Sequence, residues 1–423
     1  MLRWLAGVAA HQWGARYLLL GGSHARLPAP LFRLAGPPAD YDHPTDAYYR
    51  CLGGTWDVNG DGYVAEWGVD APDPELDIVV GRVPVDDAAM VAAFVAKVIA
   101  FEQRPRALPS ALFAASHMSV VSPPTPCPSW AHVTVGSLRD LALAAEPSLV
   151  VDEAFEDCEP ANPLTDPMSA AALVAALSER PHDLVHLVLS GIAQAWQMAN
   201  SVYADAEDFA PLAGAGHASV ATMLSGPVAD TRGGSVLASL LALPDGGAVG
   251  AVAPSCMGFV YPHDQFLRAL WGGFLADEEA RLGEAFQAAL TSAQANATLM
   301  RTYASTYWGM CLFGDPAMRL WPAAAAAVPM PDPVGVARLH VAPNPFNPIA
   351  TIRFEVAAPA GTRVPARVEI YDVQGRLVAT LLDESLPPGP REVNWRAEAV
   401  SGVYLVRVTV GRTSAAAKLT RLE

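Results

Sequence analysis

The sequence predicts two folded domains in tandem, a mostly parallel α/β sheet covered by helices and then a small all-β sandwich. Three observations carry this reading. Short apolar runs alternate with amphipathic stretches through most of the chain, a Pro/Ala-rich segment interrupts them, and beyond it the pattern switches to period-two alternation. Apolar runs without alternation fit strands buried on both faces, and strands alternating with helices fit a parallel sheet. At 423 residues the chain suits two domains better than one. Its 52% hydrophobic and 17% charged residues describe an ordered, globular protein.

Taken in order, Leu2, Leu5, Val8 and Ala9 have helical spacing. The start therefore reads as a packed first helix and not as a signal peptide, because an aromatic and a strand follow too soon for a cleavage site. Buried strands are expected at Arg16–Leu20, Leu76–Val80, Ala111–Ala115, Asp183–Leu189, Ala218–Leu224 and Gly247–Ala253. Helices are expected at Ala88–Glu102, Ser169–Leu177 and Phe266–Asp277. In such sheets ligands sit at the carboxyl ends of strands, which directs attention to the loops after Leu189 and Leu224. A linker is placed at 323–338, dividing residues 1–322 from 339–423. Alternation at Thr351–Val356, Ala366–Tyr371, Leu377–Leu382, Glu392–Trp395 and Val403–Val410 predicts an antiparallel sandwich of roughly seven strands.

The formal net charge of -16 argues against nucleic acid and anionic membrane as partners. No apolar run is long enough for a transmembrane segment. The five cysteines, Cys51, Cys127, Cys158, Cys256 and Cys311, are widely spaced and odd in number, which indicates neither a zinc site nor a dense disulfide framework.

The sharpest local motif is Asp57-Val58-Asn59-Gly60-Asp61-Gly62-Tyr63, an oxygen ladder at positions 1, 3 and 5 with Gly at 6 and a carbonyl at 7. Together with Glu66 and Asp70 it predicts a structural calcium site formed by Asp57, Asn59, Asp61, Tyr63 and Glu66. Gly68 replaces the usual twelfth-position Glu, so the loop is not an ordinary EF-hand, and a polar Asx-rich turn is the alternative. For nucleophilic chemistry, His186 near a strand end and Cys256 after another offer a base and a thiol. A His on an apolar strand is also a common core residue. Ser225 is a second nucleophile candidate, or simply a turn residue. Asp205, Asp208 and Asp230 read as ordinary loop carboxylates, and the glycine-rich stretches lack phosphate-loop spacing.

Arg16–Gly22, Asp46–Leu52, Trp56–Gly62 and Asp77–Pro84, followed by Gly247–Gly258 and Leu312–Pro316, resemble the gingipain-type cysteine peptidases in order and spacing. The resemblance implies a caspase-like fold and secreted endopeptidase activity. Pro343–Pro348, Ile370–Val378 and Ser401–Tyr404 resemble the Ig-like C-terminal sorting domain of type IX secretion cargo. That likeness implies export, a surface location and contact with the secretion machinery. The family's catalytic His falls on Leu189 or Ile192 and its Cys on Ser225, while Ser23 stands where an Asp is expected. The implied function is an exported, surface-associated module with a degenerate dyad that binds protein or peptide ligands or serves structurally. The alternative is an active cysteine peptidase with His186 and Cys256 in a rearranged site.

Overall fold

The computed structural model describes residues 2–34, 41–104, 109–116, 130–155, 169–198, 202–256, 259–276, 280–297, 301–321, 335–358, 361–396, 401–411 and 413–422. Cys127, Cys158 and most of the expected linker lie outside them. The chain divides into two compact units, Met1–Ala325 and Ala326–Glu423.

Strands of the first unit are β1 (Tyr17–Gly21), β2 (Leu31–Leu34), β3 (Tyr41–Pro44), β4 (Val79–Val83), β5 (Ser110–Ala115), β6 (Val150–Phe155) and β7 (Leu184–Val188). There follow β8 (Ser190–Ile192), β9 (Ala195–Gln197), β10 (Tyr203–Ala204), β11 (Ser219–Leu224), β12 (Ala248–Pro254) and β13 (Met310–Gly314). An eight-stranded sheet runs β1-β4-β13-β12-β11-β7-β5-β6. The pairs β1/β4, β5/β6, β5/β7, β7/β11 and β11/β12 are parallel, and β13 is antiparallel to β12. β4, β7, β11, β12 and β13 are buried along their whole length, as the unbroken apolar runs require.

The principal helices are α1 (Leu2–Trp13), α2 (Ala88–Gln103), α3 (Trp130–Ala145), α4 (Ala170–Glu179), α5 (Val236–Ala242), α6 (Val260–Leu275), α7 (Leu282–Ala297) and α8 (Arg301–Gly309). Asp87, Ser169 and Ser235 cap α2, α4 and α5 by accepting from backbone N–H groups in their first turns. Alternation along β7 separates the two helical layers. Val185 and Leu187 point toward Leu173 and Leu177 of α4, while His186 points toward Trp271 of α6.

Two expected boundaries move. The strand expected at 76–80 begins at Val79, because Asp77 and Ile78 donate to the Arg50 carbonyl before Val79 takes up pairing with Arg16. The helix expected from Phe266 begins at Val260, with Pro262 in its first turn, where no intrahelical donor is required. The strand β6 interrupts its apolar run with Asp152 and Glu153, which hid it from pattern reading. Among the described residues, no helix is long and apolar enough to cross a membrane.

Two buried charged side chains of this frame are well paired. Arg82 of β4 makes a two-pronged bond to Asp46, Nε to Oδ2 at 2.9 Å and Nη2 to Oδ1 at 2.7 Å, and its Nη1 donates to the Leu27 carbonyl at 2.9 Å. Lys97 Nζ of α2 reaches the carbonyls of Leu240, Leu241, Gly246 and Ala248 at 2.9–3.2 Å. It thereby satisfies acceptors that the end of α5 leaves open.

The second unit contains β14 (Gly335–Ala342), β15 (Ile349–Ala357), β16 (Val364–Asp372), β17 (Leu377–Leu386), β18 (Gly389–Arg396), β19 (Gly402–Val410) and β20 (Thr413–Arg421). They form a three-stranded sheet β14-β15-β18 and a four-stranded sheet β17-β16-β19-β20. Ile352 and Phe354 of the first share one core with Val368, Ile370, Val406 and Val408 of the second, and Trp395 stacks edge-on to Tyr404. Alternating exposure along β15 and β19 is the period-two pattern read from the sequence.

Candidate functional site

The loops singled out by the parallel topology are those leaving β7 and β11. After β7 the chain continues Leu189-Ser190-Gly191-Ile192 into a small antiparallel meander, β8–β9–β10. After β11 it continues Ser225-Gly226. The two ends are held together, because Leu189 N donates to Leu224 O at 3.2 Å. A Cβ on Gly226 would stand 2.5 Å from the Gly191 carbonyl oxygen, so the backbones touch and only glycine fits.

The side chains presented here are poor in acid–base chemistry. Leu189 is fully buried, Ile192 is half exposed, and Ser190 lies between them. Ser225 is buried, and its Oγ has no hydrogen-bond partner. Among the described residues no imidazole or carboxylate bonds that hydroxyl, so none of them draws off its proton.

Charged groups in the loop after β11 and toward β4 and β1 are already engaged. Arg232 clasps Asp230, Nε to Oδ1 at 2.9 Å and Nη2 to Oδ2 at 2.5 Å, and its Nη2 also donates to the Asp42 carbonyl at 2.8 Å. Asp42 accepts from Arg33 at 3.1 Å, Asp46 is held by Arg82, and Asp86 accepts from both the N–H and the hydroxyl of Ser23. Hydrogen bonds from Ser23 hold the Asp86 carboxyl below the usual range. His43 of β3 packs against Phe32 with ring centroids 5.6 Å apart and bonds the main chain of Ser255. Burial lowers its pKa, against the pull of Asp230. Ser255, just past β12, donates to the carbonyls of Pro44 and Gly309 at 2.7 and 3.0 Å. The Asp230–Arg232 clasp and His43 were missed in the sequence. The signal available was an Asp and an Arg two residues apart in a glycine-flanked loop.

His186 and Cys256 do not meet. His186 lies in the middle of β7, its Nδ1 2.9 Å from Thr222 Oγ1 and its ring between Phe113 and Trp271. Burial pulls its pKa down to about 3. Cys256 Sγ donates to the Ser305 carbonyl at 3.3 Å, and burial pushes the thiol far up, away from the thiolate. In register His186 faces Thr222 and Thr222 faces Val252, so Cys256 lies two strands over and four residues further along. That separation is about 10 Å across and about 13 Å along the sheet. Cys51 and Cys311 are likewise buried free thiols, with pKa values raised by burial to about 11 and about 12.

The acidic loop is wound on itself. Asp57 accepts from the N–H groups of Gly60, Asp61 and Gly62, Asp61 accepts from Tyr63 N, and Asp70 accepts from Val58 N and Glu66 N. Asn59 Nδ2 donates to both Asp61 and Glu66 at 3.2 Å, which brings three of the expected ligand residues to one point. No group of three or more His, Cys, Asp or Glu side chains placed to hold a metal ion occurs among the described residues. Asp205 and Asp208 cap their own turn, as loop carboxylates do. A cavity of about 380 Å³ lined by Lys97, Phe101, His217 and Pro244 lies among the loops at the amino ends of β11 and β12, away from the strand ends where chemistry is sought.

Residues 3–321 match the sequence model of peptidase family C25, and residues 340–420 match that of a secretion system C-terminal sorting domain. Among solved structures the chain is similar to the complex of Porphyromonas gingivalis RgpB pro- and mature domains. That likeness has 11% identity and a TM-score of 0.54, and covers 100% of this chain and 89% of that one. It is similar to the Arg-specific cysteine proteinase gingipain R (RgpB) at 11% identity and a TM-score of 0.53, covering 100% and 88%. A structure described only as a protease matches at 12% identity and a TM-score of 0.54, covering 99% and 86%. At these identities the likeness is one of fold. No curated protein matches. The sorting domain marks the chain for type IX secretion and the cell surface.

Proposed function

The chain belongs to peptidase family C25, and from that premise we propose that it is a non-catalytic member, exported to the cell surface, whose peptidase scaffold binds peptide or protein ligands without cutting them. One observation carries the reading. Where β7 and β11 end side by side, the described residues are Leu189, Ser190, Ile192 and Ser225, a set with no base and no thiol. A nucleophile needs an adjacent general base or a depressed pKa, and Ser225 Oγ has no basic partner. The proteins of similar fold include one described as Arg-specific. In this chain Asp230, in the loop after β11, is taken by Arg232, which removes a charge that a basic substrate side chain would seek.

The test is a fluorogenic endopeptidase assay on the full chain, together with a thiol-directed covalent probe. Neither turnover nor labelling is expected, and Cys256→Ala and Ser225→Ala leave both readouts unchanged. Turnover abolished by either substitution overturns the reading, and with Cys256→Ala it would establish an active cysteine peptidase.

The loop Asp57–Glu66 is proposed as a structural calcium site. Asn59, Asp61 and Glu66 already converge there, and turning the Asn59 amide would present its oxygen beside the carboxylates.

A further inference from the structure

We infer that the cavity at the amino ends of β11 and β12 is a binding site for a small carboxylate with an apolar tail. It lies at the opposite edge of the sheet from Leu189 and Ser225, and its occupation is independent of the chemistry there.

With a volume of about 380 Å³ the cavity is at the small end of ligand pockets. One wall is a single face of α2 and the residue just past its end: Ala93, Ala96, Lys97, Ala100, Phe101 and Arg104 recur at the three- and four-residue spacing of a helix. The other wall is the pair of loops, 216–218 and 244–246, that lead into β11 and β12. Main chain fastens these loops to each other, since Gly214 N donates to Pro244 O at 3.1 Å and Gly216 N to Asp245 O at 2.9 Å. A Cβ on Gly246 would stand 1.9 Å from the Leu212 carbonyl oxygen, so only glycine fits there. Lys97 ties the loops to α2 through the carbonyls of Gly246 and Ala248. The cavity is therefore built into the fold.

Its charge points to an anion. Three basic side chains line it, Lys97, Arg104 and His217, against one carboxylate, the exposed Asp245. In a chain of formal net charge -16 that is a local excess of positive charge. Lys97 is 5% exposed, and the four partners of its Nζ are carbonyls, none of them a carboxylate. Burial without a counter-charge pulls its pKa down to about 7, and an anion beside it would offset that cost. Each ring nitrogen of His217 faces a carbonyl oxygen, Nδ1 that of Ala215 at 3.1 Å and Nε2 that of Leu177 at 2.7 Å, and only the imidazolium donates to both. Arg104 supplies the direct bond. Its Nη2 is held by Asp183, while its Nε and Nη1 have no partner among the described residues, and either can make a charge-assisted bond to a carboxylate.

The remainder of the lining asks for hydrocarbon. Apart from the charged residues and two glycines it consists of four alanines, Phe101 and Pro244, with no hydroxyl or amide side chain to bond a sugar or a peptide group. The Arg104 guanidinium stands 5.4 Å from the centroid of the Phe101 ring, so the head-group donor and the apolar wall adjoin. A ligand with one anionic end and an apolar body satisfies both, its body gaining by leaving water.

The experiment is isothermal titration calorimetry on the full chain with phenylacetate, phenethyl alcohol and phenethylamine, which share an apolar body and differ in the charge of the head. Phenylacetate is expected to bind about tenfold or more tightly than the alcohol, the factor a charge-assisted hydrogen bond supplies, and the amine most weakly. Ala100→Phe fills the cavity from an exposed position of α2 and is expected to abolish binding with melting unchanged. Arg104→Lys keeps a positive charge beside Asp183 but gives up the open donors of the guanidinium, and is expected to cut the lead of the acid over the alcohol several-fold. Binding of the alcohol or the amine as tight as that of the acid overturns the inference. So do acid binding that survives Ala100→Phe, a lead that Arg104→Lys leaves unmoved, and absence of binding by all three compounds.

Discussion

The buried polar groups of the frame and those at the carboxyl edge of β7 and β11 are treated differently. Arg82 and Asp46 meet through two charge-assisted bonds, and Lys97 reaches four carbonyls. Ser225, by contrast, keeps a buried hydroxyl with no partner, and Leu189 offers none. A buried charge without a partner costs far more than a buried neutral group without one, which fits a frame that pairs Arg82, Asp46 and Lys97 but leaves His186 Nε2, His263 Nε2 and Thr306 Oγ1, like Ser225 Oγ, without a hydrogen-bond partner. The frame pairs its buried charges where leaving one bare would unfold the chain. The positions that would do chemistry are not held by it.

The comparison breaks first, and by the largest amount, at the ion pair. Arg82→Met is expected to destabilise the first unit by about 3–5 kcal/mol, because it strands the Asp46 carboxylate in the interior, and the double change with Asp46→Leu is expected to recover much of that loss. Urea unfolding of the three variants checks it. A loss under about 1 kcal/mol would mean that water reaches the pair and the frame is no better satisfied than the site.

Acid titration sharpens it next. Burial lowers His186 to about 3 and His263 to about 4 in the folded chain, while both protonate near 6.5 once unfolded. The unfolded state therefore binds more protons between about pH 4 and 6.5, and stability falls as pH drops through that window, by about 1.4 kcal/mol per unit for each histidine. Removing one of them with His186→Phe is expected to flatten the dependence, read from denaturation midpoints at successive pH values. An unchanged slope would place the titration elsewhere.

Ser225→Ala comes third. Deleting a buried hydroxyl with no partner is expected to leave stability unchanged or raise it by up to about 1 kcal/mol. A loss above that would reveal a bond that holds this residue in the frame after all. The smallest effect is expected at the acidic loop. Calcium is expected to raise the melting temperature by a few degrees, and the combined Asp57→Ala and Asp61→Ala variant is expected to show no such rise. Identical melting of the unsubstituted protein in calcium and in chelator would remove the site.

The fold was legible in the sequence where one rule sufficed. Unbroken apolar runs marked β5, β7, β11 and β12 because a strand covered on both faces has no polar positions. The strand β13 escaped because it enters between β4 and β12 from the end of a helix, against the direction of β12, and nothing local records that. The site was legible only through absence. Leu189, Ile192 and Ser225 were recognisable as the wrong chemistry for a dyad, but the partner of Asp46 depends on which elements the topology brings together. Arg82 lies 36 residues from Asp46. His186 and Cys256 looked like a pair because each is close to a strand end in sequence. Register across β7, β11 and β12 is what separates them.

The contact between Gly191 and Gly226 has an evolutionary consequence. Because the two strand ends are pressed together by main chain and not by side chains, their spacing does not depend on what stands at Ser190, Ile192 or Ser225. Side chains at these positions can change while the main-chain contact between the strand ends persists.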